Sequence, residues 1–155
     1  MRLYRLGQLA WPQGVAGNAI AAVTPRDIEL VAGWLAAFHE EAQPHAPVWD
    51  WRALAERRVG AGQVLLWRDE DAVVSLAAVS APAAGVARVG PVYTPPEHRR
   101  QGYGAAVTAK ATAVALSAGA DHVILYTDLE NPTSNSIYQS IGYKPDHDAE
   151  ERSFR

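Results

Sequence analysis

Apolar positions along the chain change their spacing several times, and each change marks an element. Ile28, Val31, Trp34, Leu35 and Phe38 recur at intervals of three and four, which places them on one face of a helix. Thr24, Pro25 and Asp27 start it, with a capping hydroxyl, a preset φ and negative charge in the first turn. Pro44 and Pro47 break the pattern. A second helix is predicted over residues 51–59, with Asp50 as its cap and Leu54 facing inward. Residues 64–67 and 72–79 then flank Arg68-Asp69-Glu70-Asp71 as a strand–turn–strand hairpin. Residues 86–93 form a further strand. A helix follows, with Val107, Ala111, Val114 and Ala118 on one face and Gly119 as its stop. Residues 122–127 read as a buried strand, and 133–141 as a short helix ended by Gly142. Residues 143–154 hold one or two edge strands. Upstream, residues 18–23 suit a strand, residues 11–17 a loop, and residues 1–10 a weakly patterned strand. From residue 18 the order is strand, two helices, three strands, helix, strand, helix, strand. That is a mixed α/β domain (α+β in its mixed sheet) with one layer of sheet flanked by helices.

Composition bounds the function. The chain has 155 residues, 48% of them hydrophobic and 20% charged, which suits one packed domain rather than a disordered segment. The net charge of −3 argues against a nucleic-acid surface. Cysteine is absent, which removes disulfides, thiolate metal sites and a cysteine nucleophile together. No apolar run approaches the roughly 20 residues of a membrane span. The start, Met1-Arg2-Leu3-Tyr4-Arg5, lacks the apolar block of a signal peptide. A cytoplasmic protein without membrane or metal is the expectation. Lysine occurs only as Lys110 and Lys144 against many arginines, and alanine is abundant, a bias of GC-rich bacterial genomes.

Two segments carry chemistry. Arg99-Arg100-Gln101-Gly102-Tyr103-Gly104 joins a strand to a helix. The first N–H groups of a helix have no internal partner, and the helix end carries partial positive charge. Glycines let such a loop close so that these groups converge on a phosphate or pyrophosphate. No Lys-Ser or Lys-Thr follows, so this is not a P-loop, and the order is not G-x-G-x-x-G. An ordinary glycine turn with solvated arginines is the plain alternative. Downstream, residues 131–143 place Asn131, Ser134, Tyr138, Gly142 and Tyr143 after the buried strand. On its own this is a capped helix whose tyrosine packs on the core.

Together the segments resemble the GNAT superfamily of acyl-CoA-dependent N-acetyltransferases. The family's pyrophosphate loop has Arg or Gln, two residues, Gly, one residue, Gly or Ala, met here by Arg99, Gly102 and Gly104. Its later pattern has Asn seven residues before Tyr and a Gly-aromatic pair four residues after, met by Asn131, Tyr138, Gly142 and Tyr143. Ser134 stands where the family has a small residue. The element order matches from about residue 18 onward. The resemblance implies a V-shaped opening between the strands near 86–93 and 122–127. There the pantetheine arm of acetyl-CoA pairs with Val92, Tyr93 and Thr94. The pyrophosphate rests on the N–H groups of Arg100, Gln101, Gly102, Tyr103, Gly104 and Ala105, beside Arg99. Asn131 and Ser134 border the pantetheine, and the Tyr138 hydroxyl points at the thioester sulfur. A phenol near pKa ~10 can protonate a thiolate of ~8.5–10, and no covalent intermediate is needed.

One departure concerns the base. Many relatives place a glutamate in the strand before the loop, where this chain has Arg88 and no acid in residues 86–93. Glu97 lies in the loop. His39, Glu40, Glu41 and His45 lie near the end of the first helix, and proton loss to bulk water is a further route. Trp34, Phe38 and Trp49 beside Glu40 and Glu41 suit a cationic amine with an apolar part. The resemblance implies a small-molecule or peptide amine as acceptor, with a homodimer left open. Residues 1–17 read as an N-terminal extension or edge strand, or as the end of an upstream lobe, before a transferase domain at 18–155. The alternative to an enzyme is a non-catalytic acyl-CoA sensor or structural module of the same fold. A phosphate or nucleotide binder unrelated to CoA would require the second motif to be coincidence.

Overall fold

The computed structural model describes residues 2–42, 47, 49–127 and 132–146. Seven strands form one sheet in the order β2-β3-β4-β5-β6-β1-β7: β1 (Arg2–Leu6), β2 (Asn18–Ala21), β3 (Val64–Asp69), β4 (Ala72–Val79), β5 (Val86–Tyr93), β6 (His122–Thr127) and β7 (Tyr143–Pro145). All neighbouring pairs are antiparallel except β5 with β6. Four helices pack on it: α1 (Pro25–Ala42), α2 (Trp51–Gly60), α3 (Tyr103–Ser117) and α4 (Pro132–Ser140). None of them is long and apolar enough to cross a membrane.

The predicted start signals act as a reciprocal cap. The Thr24 hydroxyl accepts from the Asp27 N–H at 3.1 Å, and Asp27 accepts from the Thr24 and Val23 N–H groups at 3.0 and 2.8 Å. Asp50 accepts from the Ala53 N–H at 3.0 Å and caps α2. Strand alternation divides the core into two faces. Val31, Leu35, Ala55, Val59, Val64, Leu66 and Leu76 pack under α1 and α2. Ala77, Val79, Val107, Val123 and Leu125 pack under α3. The tail forms one described edge strand, β7, and residues beyond 146 lie outside the described residues.

The strand expected within residues 1–10 forms, and it lies between two neighbours and not at the sheet edge. β1 lies inside the sheet, paired through Arg2–Arg5 with β6 and through Tyr4–Leu6 with β7. Tyr4 is fully buried, and its hydroxyl donates to Asn135 Oδ1 at 2.9 Å while accepting from Gln139 at 3.3 Å. The following residues are bound in too. Gly7 and Ala10 donate to the carbonyls of Gly142 and Ile141 at 2.9 and 3.0 Å. Gly142 has φ +110, and a Cβ there would meet the Gln8 carbonyl oxygen at 2.0 Å, so this crossing requires glycine. Weak patterning concealed the place of β1 because its partners lie at the other end of the chain.

Tyr4 therefore carries core weight. Tyr4→Ala should cost about 3–5 kcal/mol, the range for emptying a large aromatic site. Tyr4→Phe should cost about 1 kcal/mol for the lost hydrogen bond. Urea midpoints at constant slope measure both, and a detached strand would show neither loss.

Candidate functional site

β5 and β6 part company early. They pair at Val86–His122, Ala87–Val123 and Arg88–Ile124, and the ladder stops there. Beyond that point β5 stays with β4, through Leu76–Tyr93 and Ala77–Val92, while β6 stays with β1. The β4–β5 register shifts between Ala77 and Val79, opposite Gly90 and Pro91. Two β5 residues there face one of β4, a bulge that bends the strand away from its parallel neighbour. The result is a wedge between two parallel strands.

The glycine loop sits at the open end of β5. A single 3-10 turn, Pro96–His98, leads into it. Arg100 (φ +67) and Gly102 (φ +85) are left-handed, and Gly102 caps α3. The backbone N–H groups of Arg100 to Ala105 donate to no acceptor among the described residues. Six such groups at a helix N-terminus make an anion-binding concavity. Side chains hold the loop in place. The Tyr103 hydroxyl donates to Asp69 at 2.6 Å and to Gln101 at 3.2 Å, and the Asp69 bond raises its pKa. Thr94 shares a 2.8 Å hydrogen bond with the fully buried Ser75, whose hydroxyl also binds the Tyr93 carbonyl.

Arg99 is not the mobile charge a solvated loop arginine would be. Its Nε donates to the Thr94 carbonyl at 2.8 Å, and its Nη2 reaches both Glu41 oxygens at 3.0 and 2.8 Å. This fastens the loop to the last turn of α1. Glu41 is thereby engaged, and Glu40 is exposed without lining the wedge.

At the end of β6, Thr127 donates to Asn135 at 2.6 Å, which ties α4 to the strand that precedes it. Tyr138 packs against the α3-side core, and burial pushes its phenol up to about 12. That phenol stays protonated through the neutral range. Ser134 is half-buried on the same helix. Asn131 and His45 lie outside the described residues.

On the α1–α2 face the wedge opens into a cleft of about 240 Å³. α1 contributes Leu35, Phe38 and His39, α2 contributes Trp51 and Leu54, β5 contributes Arg88 to Pro91, and β6 contributes Tyr126. His39 lies against the Trp51 ring, with centroids 5.0 Å apart. No Asp or Glu lines this cleft. Among the described residues no cluster of three His, Cys, Asp or Glu could hold a metal ion.

The family model described as "Acetyltransferase (GNAT) family" matches residues 28–143. The chain belongs to this family. A GCN5-related N-acetyltransferase from Kribbella flavida shares 30% identity and a TM-score of 0.68, over 93% of this chain and 53% of that one. A GNAT-family acetyltransferase from Colwellia psychrerythraea has 15% identity and a TM-score of 0.72, over 93% and 52%. An aminoglycoside N-acetyltransferase, AAC(6′)-Iy, in complex with CoA has 15% identity and a TM-score of 0.62, over 87% and 92%. The chain spans about half the length of the first two of these. No curated protein sequence matches it.

As a GNAT domain the chain keeps the splayed sheet and the glycine loop together, as its motifs implied. Sequence reasoning did not single out Trp51, Leu54 or Tyr126 as cleft residues. Tyr126 was legible in one respect, since alternation along β6 puts it with Ile124 opposite the buried Val123 and Leu125. Of the aromatic trio, Phe38 lines the cleft, Trp34 packs on Tyr93, and Trp49 is 60% exposed.

The two loop glycines should separate by measurement. At Gly102 a Cβ would adopt a left-handed φ and meet a Val15 methyl at 2.9 Å. Gly102→Ala should therefore cost about 1–2 kcal/mol. Gly104 has an ordinary helical φ, and its Cβ would lie 3.4 Å from Thr94 Oγ1. Gly104→Ala should hold stability or raise it by up to about 1 kcal/mol. Thermal and urea unfolding of both variants provide the check.

Proposed function

We propose that this domain transfers the acetyl group of acetyl-CoA to an amine by direct attack in a ternary complex. The observation that carries the reading is the run of six unpaired N–H groups, Arg100 to Ala105, beside a strand that has left its parallel neighbour. A pyrophosphate fits the first feature, and an extended amide-bearing arm fits the second, by pairing with Val92, Tyr93 and Thr94. An aminoglycoside N-acetyltransferase that shares this fold has been obtained in complex with CoA, which supports CoA as the ligand. Asn131 and Ser134 are assigned to the pantetheine side, and Arg99 to holding the loop rather than to touching phosphate.

In the reaction the amine nitrogen bonds to the acetyl carbon, and the carbon–sulfur bond breaks. The sulfur leaves with the electron pair and takes a proton, for which Tyr138 is the assigned donor. The amine gives up a proton in turn. Of the base candidates, Glu41 is bound to Arg99, Glu40 is exposed away from the cleft, and Glu97 lies in the turn before the loop. His39 lines the cleft and is the assigned acceptor of that proton.

Two measurements test this reading. Gly104→Asp places a carboxylate where the pyrophosphate is assigned, and CoA affinity by calorimetry should fall at least about tenfold. Unchanged affinity in the folded variant refutes the pyrophosphate site. Tyr138→Phe keeps the ring and removes the proton donor. Thiol release should fall by about 10²–10⁴ in kcat, with CoA affinity held. A wild-type rate, with chemistry rate-limiting, leaves Tyr138 as a packing residue only.

A further inference from the structure

Some arginines of the described fold meet carboxylates. Arg99 pairs with Glu41, Arg5 with Asp146, and Arg52 with Glu29 and Glu56. Two at the cleft do not. Arg88 lines the cleft at the register where β5 and β6 separate, its guanidinium held 4.7 Å over the Tyr126 ring. Arg58 comes from the last turn of α2 and donates to the carbonyl of Gly90, in the same wall, at 3.3 Å. Burial first, then the charges of Arg88 and Arg57, push the Arg58 pKa down, as expected for cations crowded together. Neither Arg58 nor Arg88 has a carboxylate partner among the described residues. The other charged or titratable groups of the lining are His39 and Tyr126, and neither is a carboxylate.

We infer that the acceptor is an amine that itself carries a carboxylate, with Arg88 as the residue that selects it, and an apolar side chain directed at Phe38, Leu54 and Trp51. This rests on the acetyl-transfer reading and names its acceptor class. The sign is opposite to the cationic amine expected from Glu40 and Glu41. A polyamine entering this cleft meets uncompensated positive charge and no acid. A carboxylate meets a planar guanidinium fork that matches it in shape, already oriented by the tyrosine face. Leu35, Phe38, Leu54 and Val89 leave apolar wall for the rest of the molecule. An apolar α-amino acid, or a compound with the same aminocarboxylate head, satisfies all three features.

Matched pairs test this. Leucine, phenylalanine and tryptophan are compared with isoamylamine, phenethylamine and tryptamine, which lack only the carboxylate. Each is assayed by thiol release with acetyl-CoA, and titrated calorimetrically into CoA-saturated protein. At least one amino acid should exceed its decarboxylated partner by about 10- to 100-fold, the worth of a charge-assisted hydrogen bond. Arg88→Gln should reduce that ratio to near one with CoA affinity unchanged, and Arg88→Glu should reverse it. Arg88 is exposed, so both variants should fold. Equal use of both members, preference for the plain amines, no binding by either, or equal losses for both in Arg88→Gln each overturn the acceptor assignment. Turnover of the plain amines at rates equal to or above those of the amino acids would overturn it while leaving acetyl transfer standing. Failure of CoA itself to bind would instead remove the transfer reading.

Discussion

Two parallel strands that stop pairing after three residues leave backbone groups facing an opening, and the rest of the site follows from keeping that opening open. Sheet strands left free would close and satisfy each other. Here each arm is held from outside. β5 is bent by its bulge at Gly90 and Pro91, and its end is fixed to β4 by the buried Ser75 hydroxyl. β6 is held by β1, and its last residue, Thr127, is tied to α4 through Asn135. The wedge is therefore present before any ligand arrives, which lowers the ordering cost of binding.

Helix α1 joins the two halves of the site. Its face contributes Phe38 and His39 to the cleft, and its last turn contributes Glu41 to the loop arginine. The Arg99–Glu41 pair is exposed, so its direct contribution to stability is small. Its geometric effect is larger than its energy. It fixes the distance between the loop assigned to pyrophosphate and the helix that lines the cleft.

Local chemistry was legible and long-range pairing was not. The Thr24–Asp27 cap, the Asp50 cap, the hairpin and the glycine stops each depend on residues a few positions apart, and each formed as read. The loop from Arg99 to Gly104 was legible for the same reason. Arg99's commitment to Glu41 spans 58 positions, and nothing in either neighbourhood announces it. Tyr4 meets Asn135 across 131 positions, so β1 read as an extension. Arg88 was noticed in sequence as a missing acid. Its meaning as a positive charge required knowing that Arg58 reaches the same wall.

The placement of β1 sets the order in which the sheet can be completed. Its partners, 124–127 and 143–145, are made after almost everything else in the described chain. Closing a loop of that length costs only about 0.6 kcal/mol more per doubling, so the finished sheet is not much weakened. The kinetics are another matter, because non-local pairings of this kind slow folding. Until β1 docks, β6 and β7 each show a bare edge with an apolar, strand-shaped gap between them. A second copy's first strand fits that gap as well as the chain's own. Crowded, newly made chains are thus exposed to strand exchange at this one slot, and the Gly142–Gln8 crossing is the latch that ends the exposure.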